Sequence, residues 1–458
     1  MTTPGPILLI NPSANETESA RPASPPLSLA CLAGAVHDLA PRAVLVEDIA
    51  LRQNRAGSLG LAEGLSRLRR ERPWLVGVSA VAGAEACTFG VLATAHAAGA
   101  VTVAGGLDAT VHATEYASAA DWVVLGEGEL PFRELVLALS DGRTPDFRLG
   151  LYSRAAGVTV PCPPPPGTLD DLPLPARSLL PAPGLYQNGR GATIEESRGC
   201  SFHCTFCSIP RCGTGMRLKS LERIGQEVED VLRISPERPF VRIISEGALM
   251  GRSRALAIAA ILRDARLKWM VNAHPAVLLR RREELASMVA AGLVSVELGI
   301  ESGSARVLDL LGKEVTPAEN AAALELLKCA AVPRPRIEYI MFEPMMSLAD
   351  LDEALAFVEA HQEHFLKDDR FPRHLFTELF PVPGTAACAR LQAAGLLRVQ
   401  RTGWPKPVFA PIFADPAVDA VRLRWSLLNS TSCTILPLER KLEILREARR
   451  TLDHVRRG

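Results

Sequence analysis

The segment Ser197–Cys207 reads SRGCSFHCTFC and holds the densest group of cysteines in the chain. It follows an apolar strand candidate, Ala192–Glu195, so the cysteines stand at the carboxyl end of a strand. Their spacing is C-x3-C-x2-C. Three thiolates can hold three irons of a cubane and leave the fourth iron open to a further ligand. We therefore predict that Cys200, Cys204 and Cys207 bind a [4Fe–4S] cluster.

The residues alone leave two alternatives to a cluster open. One is a zinc site, which usually has four ligands in paired C-x2-C or C…H spacing. No second pair lies nearby, and Cys212 or His203 would complete such a site only through a tight local loop. The second alternative is a set of unrelated buried thiols. The spacing, the preceding strand and the flanking residues together favour the cluster.

Strand–helix alternation continues beyond the cysteines, as in a (β/α) barrel, whose active site lies at the carboxyl ends of the strands. The strand candidates are Ala192–Glu195, Phe240–Ile244, Lys268–Asn272, Val294–Gly299, Arg336–Met341 and Leu375–Phe380. We predict a partial (β/α)6 barrel over residues 188–400 and a charged helical segment over residues 401–458.

The first 150 residues alternate apolar strands and helices in their own right. Continuous apolar strands predict a parallel sheet covered on both faces, which is a doubly wound, Rossmann-like α/β domain. Ligands of such sheets bind at the carboxyl ends of the strands. The loops expected there are Asn11–Pro12–Ser13, Ser79–Ala80–Val81, Gly105–Gly106–Leu107 and Gly126–Glu127–Gly128. Residues 151–187 are rich in proline and predict a semi-rigid linker.

The composition excludes several classes of partner. Lys+Arg and Asp+Glu both number 51, so there is no electrostatic case for nucleic acid or an anionic membrane. No apolar run is long enough to span a bilayer, and the start of the chain does not read as a signal peptide. The 10 cysteines are otherwise scattered, as in a reducing compartment. We expect a cytoplasmic protein.

A C-x3-C-x2-C motif with an aromatic residue, here Phe206, before its last cysteine is the signature of the radical SAM superfamily. The chain resembles in particular the subgroup with an N-terminal cobalamin-binding domain. The resemblance runs over nearly the whole chain and is carried by Pro25–Leu27, Gly105–Gly106, Gly126–Glu129, Leu172–Arg177, Glu297–Ser302 and Pro381–Thr385. It implies three cofactors, namely the [4Fe–4S] cluster, S-adenosylmethionine (SAM) and cobalamin.

The resemblance also implies contacts with SAM at the ends of the barrel strands. Glu301 and Ser302 end the fourth strand, where similar enzymes bind the ribose or the methionine part of SAM. A carboxylate suits ribose hydroxyls because these are donors. Ser245 and Glu246 follow the second strand, where relatives hold the amino group of SAM.

Three further SAM contacts are implied, two of them with a plain alternative. Arg336 is a candidate partner for the carboxylate of SAM, or one half of an ordinary ion pair. Pro383 belongs to a turn that passes beneath adenine in relatives, or is simply part of a rigid turn. Phe206 fills the aromatic position of the signature. The sequence identifies no catalytic residue beyond these cofactor contacts.

The cobalamin prediction departs from a common pattern. Many cobalamin modules supply a lower axial histidine from an Asp-x-His-x-x-Gly motif after the first strand, and this chain has Asn11–Pro12–Ser13–Ala14–Asn15 there. Either the cofactor binds without a protein histidine, as in many radical SAM relatives, or the domain no longer holds it. The glycine turns favour binding. The expected contacts are Asn11, Pro12, Ser13, Ser79, Gly105, Gly106, Gly126, Glu127 and Gly128.

The resemblance implies a methyltransferase that uses a 5′-deoxyadenosyl radical and methylcobalamin to methylate an unactivated carbon of a small molecule or natural product. Its partners would be that substrate and an electron donor such as reduced flavodoxin or ferredoxin. A radical rearrangement, cyclisation or oxidation without methyl transfer is the alternative. A methylthiotransferase is disfavoured because the N-terminal domain lacks a second cysteine triad. A sensor or scaffold is disfavoured because no DNA-reading module or basic surface is visible.

Overall fold

The fold is described from a computed structural model. It describes residues 5–12, 25–39, 43–51, 59–155, 167–181, 185, 192–209, 215–237, 240–245, 249, 251–401, 403–428 and 436–457, with only the backbone of 59–64 and 427–428. The chain forms two compact units. The first comprises Met1–Glu195, Cys212–Arg242 and Arg401–Val408, and the second comprises Glu196–Arg211, Ile243–Gln400 and Phe409–Gly458.

The first unit contains a six-stranded sheet in the order β2-β1-β3-β4-β5-β6. Its strands are β1 (Ile7–Asn11), β2 (Val44–Asp48), β3 (Leu75–Ser79), β4 (Val101–Gly105), β5 (Trp122–Val124) and β6 (Leu151–Tyr152). The first five are parallel and β6 is antiparallel to β5. The apolar runs of the sequence predict five strands here, and all five are present: Ile7–Ile10, Val44–Val46, Leu75–Val78, Val101–Ala104 and Trp122–Leu125. The chain reverses its direction of winding between β1 and β3.

Helices cover both faces of this sheet, as predicted for a doubly wound domain. The helices of the first unit are α1 (Leu27–Val36), α2 (Leu59–Glu71), α3 (Glu85–Ala97), α4 (Leu107–Val111), α5 (Ala113–Tyr116), α6 (Glu129–Asp141) and α7 (Leu221–Ile234). Successive residues of β1 enter opposite cores because side chains alternate along a strand. Leu9 packs in the core that contains Phe132 of α6, whereas Leu8 packs in the core that contains Phe89 of α3.

Part of the predicted linker packs within the first unit. The Ala176 N–H donates to the Ala30 carbonyl over 2.8 Å, and a Cβ on Gly34 would lie 2.3 Å from the Leu174 carbonyl oxygen. The buried guanidinium of Arg177 pairs with Glu227 of α7. These contacts explain why the first unit extends past the boundary at residue 150 that the sequence predicts. Residues 156–166, with the longest proline run, lie outside the described residues.

The second sheet has five strands in the order β13-β12-β11-β10-β7. They are β7 (Ala192–Glu195), β10 (Val241–Ile244), β11 (Trp269–Ala273), β12 (Leu293–Glu301) and β13 (Arg336–Tyr339). Two short strands, β8 (Ser197–Arg198) and β9 (Arg217–Leu218), lie between β7 and β10 in sequence. Five of the six predicted barrel strands therefore form. The sixth, Leu375–Phe380, is reduced to a single parallel bridge between Glu378 and Phe342.

Side chains take the place of the missing strand along the outer edge of β13. Asp368 accepts from the Ile337 N–H over 2.8 Å, and the Ile337 carbonyl accepts from Arg370 over 2.8 Å and from His374 over 3.0 Å. Arg370 also bonds Asp368 over 2.9 Å. The backbone groups that a sixth strand would have paired are thus satisfied locally. This is the physical reason why the sequence prediction of a full strand was wrong here.

Strand β12 of the second sheet has one apolar face and one face that carries polar residues. In β12, Val296, Leu298 and Ile300 are fully buried, and the residues between them include Glu297 and Gly299. Gly299 pairs in register with Glu338 of β13. Because side chains alternate along a strand, the carboxylates share one face of the sheet.

Ten helices accompany the second sheet in the described part of the chain, and their bounds follow. They are α8 (Arg252–Asp264), α9 (Pro275–Arg280), α10 (Leu285–Ala290), α11 (Ala305–Leu311), α12 (Pro317–Cys329), α13 (Leu348–Ala360), α14 (Gln362–Lys367), α15 (Ala386–Ala393), α16 (Pro416–Leu428) and α17 (Leu438–Arg457). The C-terminal region is helical as predicted, although a hairpin of β14 (Leu397–Gln400) and β15 (Val408–Pro411) precedes α16. None of the described helices is both long and apolar enough to cross a membrane.

Candidate active site at the carboxyl ends of the strands

The cysteine loop, residues 200–207, is held in place by Thr205. The Thr205 N–H donates to the Leu311 carbonyl and its hydroxyl donates to the Leu310 carbonyl, each over 2.8 Å. The Thr205 carbonyl accepts from the Ala387 N–H over 2.8 Å. The loop is therefore fixed between the C-terminus of α11 and the N-terminus of α15, which orders the backbone that presents the cysteines.

Cys200, Cys204 and Cys207 are half-buried, and none forms a disulfide. Burial raises the pKa of the Cys204 thiol to about 11; nearby Lys313 lowers it, and the charges of Glu301, Cys207 and Cys200 raise it further. Thiolates whose charges raise one another's pKa repel unless a cation neutralises them. Metal binding deprotonates cysteine ligands outright. The residues therefore fit a positively charged iron–sulfur core.

Lys313 and Glu301 form a buried ion pair beside the cysteines. The Lys313 Nζ lies 3.0 Å from Glu301 Oε1, and both side chains are at least nine-tenths buried. Glu301 ends β12 with φ 61°, a left-handed conformation that costs a non-glycine residue energy and is concentrated at functional sites. A Cβ on Gly299 would lie 2.7 Å from Glu301 Oε1, so glycine makes room for the pair. Sequence reasoning identified Glu301 but missed Lys313.

His274 connects the loop to the ion pair. Its ring stacks on Phe202 with centroids 3.8 Å apart, and its Nε2 lies 3.0 Å from the Lys313 carbonyl oxygen. Burial, together with the charge of Lys313, lowers the pKa of His274 to about 3. The ring is therefore neutral, with Nε2 as the donor to the carbonyl and Nδ1 accepting from the Ala276 N–H. His274 fixes the loop in place and carries no charge.

A second buried polar group lies after β10. The Ser245 hydroxyl donates to Glu196 over 2.7 Å and lies 2.5 Å from the Ser197 hydroxyl, and Glu196 pairs with Arg254 of α8. Ser245 is thus positioned directly beside the start of the segment that carries the cysteines. Glu246, its predicted companion, lies outside the described residues.

The structure places the remaining predicted SAM contacts in different surroundings. Ser302 is fully buried, and its Oγ accepts from the Ser304 N–H over 3.2 Å, so it braces the end of β12. Pro383 and Phe206 are half-buried, Pro383 in the turn before α15 and Phe206 in the cysteine loop. Arg336 opens β13 and pairs with Asp369 over 3.2 Å. It lies at the amino end of its strand, and the fold does not bring it to the cysteines.

The predicted cobalamin contacts gather at the carboxyl edge of the first sheet. The order β2-β1-β3-β4-β5 makes the gap between β1 and β3 the switch point at which doubly wound sheets bind ligands. Asn11 stands there and donates to Asp48 over 2.9 Å. Pro12 is buried, and Ser13 lies outside the described residues.

Glycine is required at two of these positions. Gly106 has φ 96°, and a Cβ on it would lie 3.0 Å from the Ala80 carbonyl oxygen. Gly126 has φ 71°, and its N–H donates to Thr110 Oγ1 over 2.9 Å. Gly105 also lies against the loop after β3, because its carbonyl accepts from the Ala80 N–H over 2.7 Å. The backbones of the loops after β3 and β4 are therefore in direct contact.

Three further predicted contacts have defined surroundings. Ser79 is half-buried, and its Oγ would lie 3.4 Å from a Cβ placed on Gly106. Glu127 pairs with Arg217. Gly128 lies against α1, where an added Cβ would come within 2.9 Å of Leu32 Cδ2. Gly128 is thus explained by helix packing, whereas the cofactor contacts remain predictions.

Two residues at this edge were missed by sequence reasoning. Lys406, in the segment between β14 and β15, is buried and bonds Glu85 over 2.7 Å and Asp108 over 2.8 Å. Trp404 stacks on Phe89 with centroids 6.0 Å apart. Both are separated from their partners by about 300 residues of sequence, so no local spacing could have revealed them. The sequence feature that could have drawn attention to both residues is a tryptophan directly before a Pro-Lys-Pro run.

Comparison with known families agrees with this geometry. The family model described as the radical SAM superfamily matches residues 194–358, which contain the cysteine loop, Ser245, Glu301 and Lys313. Residues 194–358 form a domain of the radical SAM superfamily. Its cofactors accordingly include a [4Fe–4S] cluster and SAM, and the predicted family and its signature are confirmed.

Curated relatives of this radical SAM protein share about 30% identity. It is 30% identical to an uncharacterized methyltransferase of Pyrococcus horikoshii, over 66% of each chain. It is 29% identical to the anaerobic magnesium-protoporphyrin IX monomethyl ester cyclase of Rubrivivax gelatinosus, over 50% of this chain and 43% of that one. It is 32% identical to the hopanoid C-3 methylase of Methylococcus capsulatus, over 46% and 41%. The matches thus span from two fifths to just under two thirds of the relatives.

A solved structure shares the whole architecture. It is the cobalamin-dependent S-adenosylmethionine radical enzyme OxsB with aqua-cobalamin and SAM bound, with a TM-score of 0.75 and 17% identity. The match covers 99% of this chain and 72% of that one. The fold, with a doubly wound domain before a radical SAM region and a helical C-terminus, is therefore similar to the fold of that enzyme.

Proposed function

We propose that this protein is a cobalamin-dependent radical SAM methyltransferase that methylates an unactivated carbon of a small molecule or natural product. The observation that carries the proposal is that the carboxyl edges of both sheets carry groups suited to binding a cofactor. The second sheet carries the cysteine loop with the buried Glu301–Lys313 pair. The first carries glycine turns after β4 and β5, at the carboxyl edge of a doubly wound sheet. The methyltransferase and methylase names of two relatives support the same reaction class.

In the second unit, Cys200, Cys204 and Cys207 would hold the cluster, and Thr205 would hold their loop in position. Glu301 would accept hydrogen bonds from the ribose hydroxyls of SAM, while Lys313 neutralises the Glu301 carboxylate and keeps it oriented. Ser245 and Phe206 are further SAM contacts by the resemblance, with Ser302 and Pro383 shaping the surroundings. Arg336 forms an ion pair with Asp369, which is the alternative to a contact with SAM.

In the first unit, the loops after β1, β3, β4 and β5 would hold cobalamin. Gly105 and Gly106 allow the backbone to approach the ligand closely, and Asn11, Ser79 and Gly126 lie at the same edge. When bound, the cluster and SAM supply a radical that removes a substrate hydrogen atom, and cobalamin supplies the methyl group. An electron donor such as reduced flavodoxin or ferredoxin would feed the cluster.

Anaerobic reconstitution tests the proposal. The purified chain is loaded with iron and sulfide, then mixed with aquacobalamin, SAM and a reductant, and bound cofactors are measured by absorbance. We expect one cluster and one cobalamin per chain, with formation of 5′-deoxyadenosine and, once the cobalamin is reduced, of S-adenosylhomocysteine. A chain that binds the cluster and cleaves SAM but takes up no cobalamin would refute the methyltransferase while leaving superfamily membership intact.

The second candidate is a radical cyclisation, rearrangement or oxidation without methyl transfer. It is favoured by the cyclase among the relatives and by a 28% match to the 4′-phospho-dehydrooxetanocin synthase of Priestia megaterium. The two candidates differ in the fate of a second SAM molecule. Deoxyadenosine without S-adenosylhomocysteine, in a chain that has bound cobalamin, would select the second candidate.

A further inference from the structure

The segment 403–408, between β14 and β15, is part of the first unit and is fastened to the carboxyl edge of its sheet. The Lys406 Nζ donates to Glu85 Oε1 over 2.7 Å and to the two carboxylate oxygens of Asp108 over 2.8 and 2.9 Å. Glu85 begins α3, after the β3 loop, and Asp108 lies in the first turn of α4, after the β4 loop. A single ammonium group thus joins two loops of the predicted cofactor edge.

The bonds of Lys406 hold the irregular segment 403–408 in a defined position. Lys406 is 5% exposed, and its three donor bonds go to two carboxylates. Asp108 also accepts from the Tyr116 hydroxyl over 2.6 Å, which fixes its orientation. Charge-assisted bonds of this kind, removed from water, hold their groups in a defined geometry. The position of the backbone around residue 406 is therefore set by the first unit.

Large apolar side chains stand exposed around the same attachment. Val81 is 46% exposed, Leu107 is 41% exposed and Trp404 is 40% exposed. Val81 follows the Ala80 that contacts Gly106, and Leu107 lies between Gly106 and the Asp108 that holds Lys406. Trp404 lies against Phe89 of α3 with the ring planes 12° apart. One edge of the sheet thus combines two glycine-based loops, three exposed apolar side chains and an anchored aromatic residue.

We propose that the segment 403–408 is part of the cobalamin site: Lys406 positions Trp404, which forms an apolar contact surface for the corrin ring together with Val81 and Leu107. This inference rests on the proposed function. A corrin is a broad, flat macrocycle with apolar faces, and sites for such ligands are lined mainly by apolar and aromatic side chains with a few placed polar groups. The patch lies by the loops after β3 and β4, at the carboxyl edge of the sheet, which is the edge at which doubly wound sheets bind ligands. Lys406 is a positioning residue, and Trp404, Val81 and Leu107 are contact residues.

Binding of aquacobalamin to the purified full chain, followed by absorbance titration, tests the proposal without any turnover. We expect Lys406→Met and Trp404→Ala to weaken binding about tenfold or more, and Trp404→Phe to keep most of the affinity because the ring is retained. Leu423→Ala is the matched control, since Leu423 is an apolar side chain of α16 that is 52% exposed. It should bind cobalamin as the wild type does.

Hydrogen–deuterium exchange separates a cofactor contact from a merely structural tie. Aquacobalamin should slow exchange in wild-type peptides that cover 403–408, 79–85 and 105–110, and it should raise the melting temperature. In a folded Lys406→Met variant, aquacobalamin should no longer slow exchange in 403–408. Unchanged exchange at 403–408 in cobalamin-bound wild type, or unaltered affinity in both Lys406→Met and Trp404→Ala, would overturn the inference and leave the proposed function standing. Absence of any cobalamin binding by the wild type would overturn both.

Discussion

The carboxyl edges of the two sheets are prepared in different ways. At the second sheet, the cysteine loop is tied by Thr205 to the ends of two helices, and a buried ion pair stands beside it. At the first sheet, glycine turns bring the loops together and apolar side chains stay exposed. A metal cluster needs a few ligands at fixed positions, whereas a broad organic cofactor needs surface. The difference teaches that the predicted cluster ligands are local in the sequence, whereas the proposed cobalamin site is assembled from distant segments.

The largest effect is expected for Cys204→Ala, which removes a predicted cluster ligand from the cysteine loop. Two thiolates cannot hold the cluster as three do, so iron content after reconstitution should fall sharply and 5′-deoxyadenosine should not form. The control is Cys329→Ala, because Cys329 is exposed at the end of α12. Cobalamin binding should be unaffected in both variants. Full SAM cleavage by Cys204→Ala would contradict the prediction that the cysteine loop binds the cluster.

Lys313→Met should come next, because it leaves the Glu301 carboxylate buried without its partner. Breaking a buried pair from one side typically costs about 3 kcal/mol or more in the free energy of unfolding. The measurement is urea unfolding of the cluster-free chain. Lys328→Met is the matched control, since Lys328 pairs with Glu363 over 2.7 Å in the open, and it should change stability little. Equal losses in the two variants would show that burial of the pair does not matter.

Gly106→Ala tests the glycine turns of the first sheet. Its φ of 96° and the 3.0 Å approach to the Ala80 oxygen leave no room for a Cβ. We expect a loss of about 2 kcal/mol in the free energy of unfolding and weaker cobalamin binding. Gly90→Ala, in the middle of α3 with nothing within 4 Å of the added carbon, should instead stabilise the chain by about 1 kcal/mol. A neutral Gly106→Ala would mean that the close loop contact is dispensable.

The smallest effect concerns the carboxylates on the polar face of β12 and β13. Burial raises the pKa of Glu338 to about 7; Arg370 opposes the shift, and neighbouring Glu297 adds to it. The folded chain therefore keeps a proton that the unfolded chain releases, so this group lowers stability as the pH rises from about 4.5 to about 7. The Glu338 side chain is half-exposed, which keeps the effect small. Glu338→Gln should flatten the dependence of the urea midpoint on pH in that interval, and an unchanged slope would contradict the assignment.

Much of the fold and part of the site could be predicted from the sequence. The apolar strands and the cysteine spacing are local signals, and all five strands of the first domain and five of the barrel strands were found. Glu301 was found because it closes an apolar strand. Lys313 and Lys406 were not, because their partners are chosen by the tertiary fold and no periodicity marks them. The predicted sixth strand failed for the same reason, since side chains from the loop after α14 satisfy β13.

The side-chain cap on β13 has a consequence for the behaviour of the protein in a crowded solution. An uncovered edge strand is a template for another chain, and such edges promote aggregation and strand exchange. Asp368, Arg370 and His374 occupy both hydrogen-bonding groups of Ile337, so an incoming strand cannot pair with this residue. The cap therefore removes the middle of β13 from the backbone that a second molecule could extend.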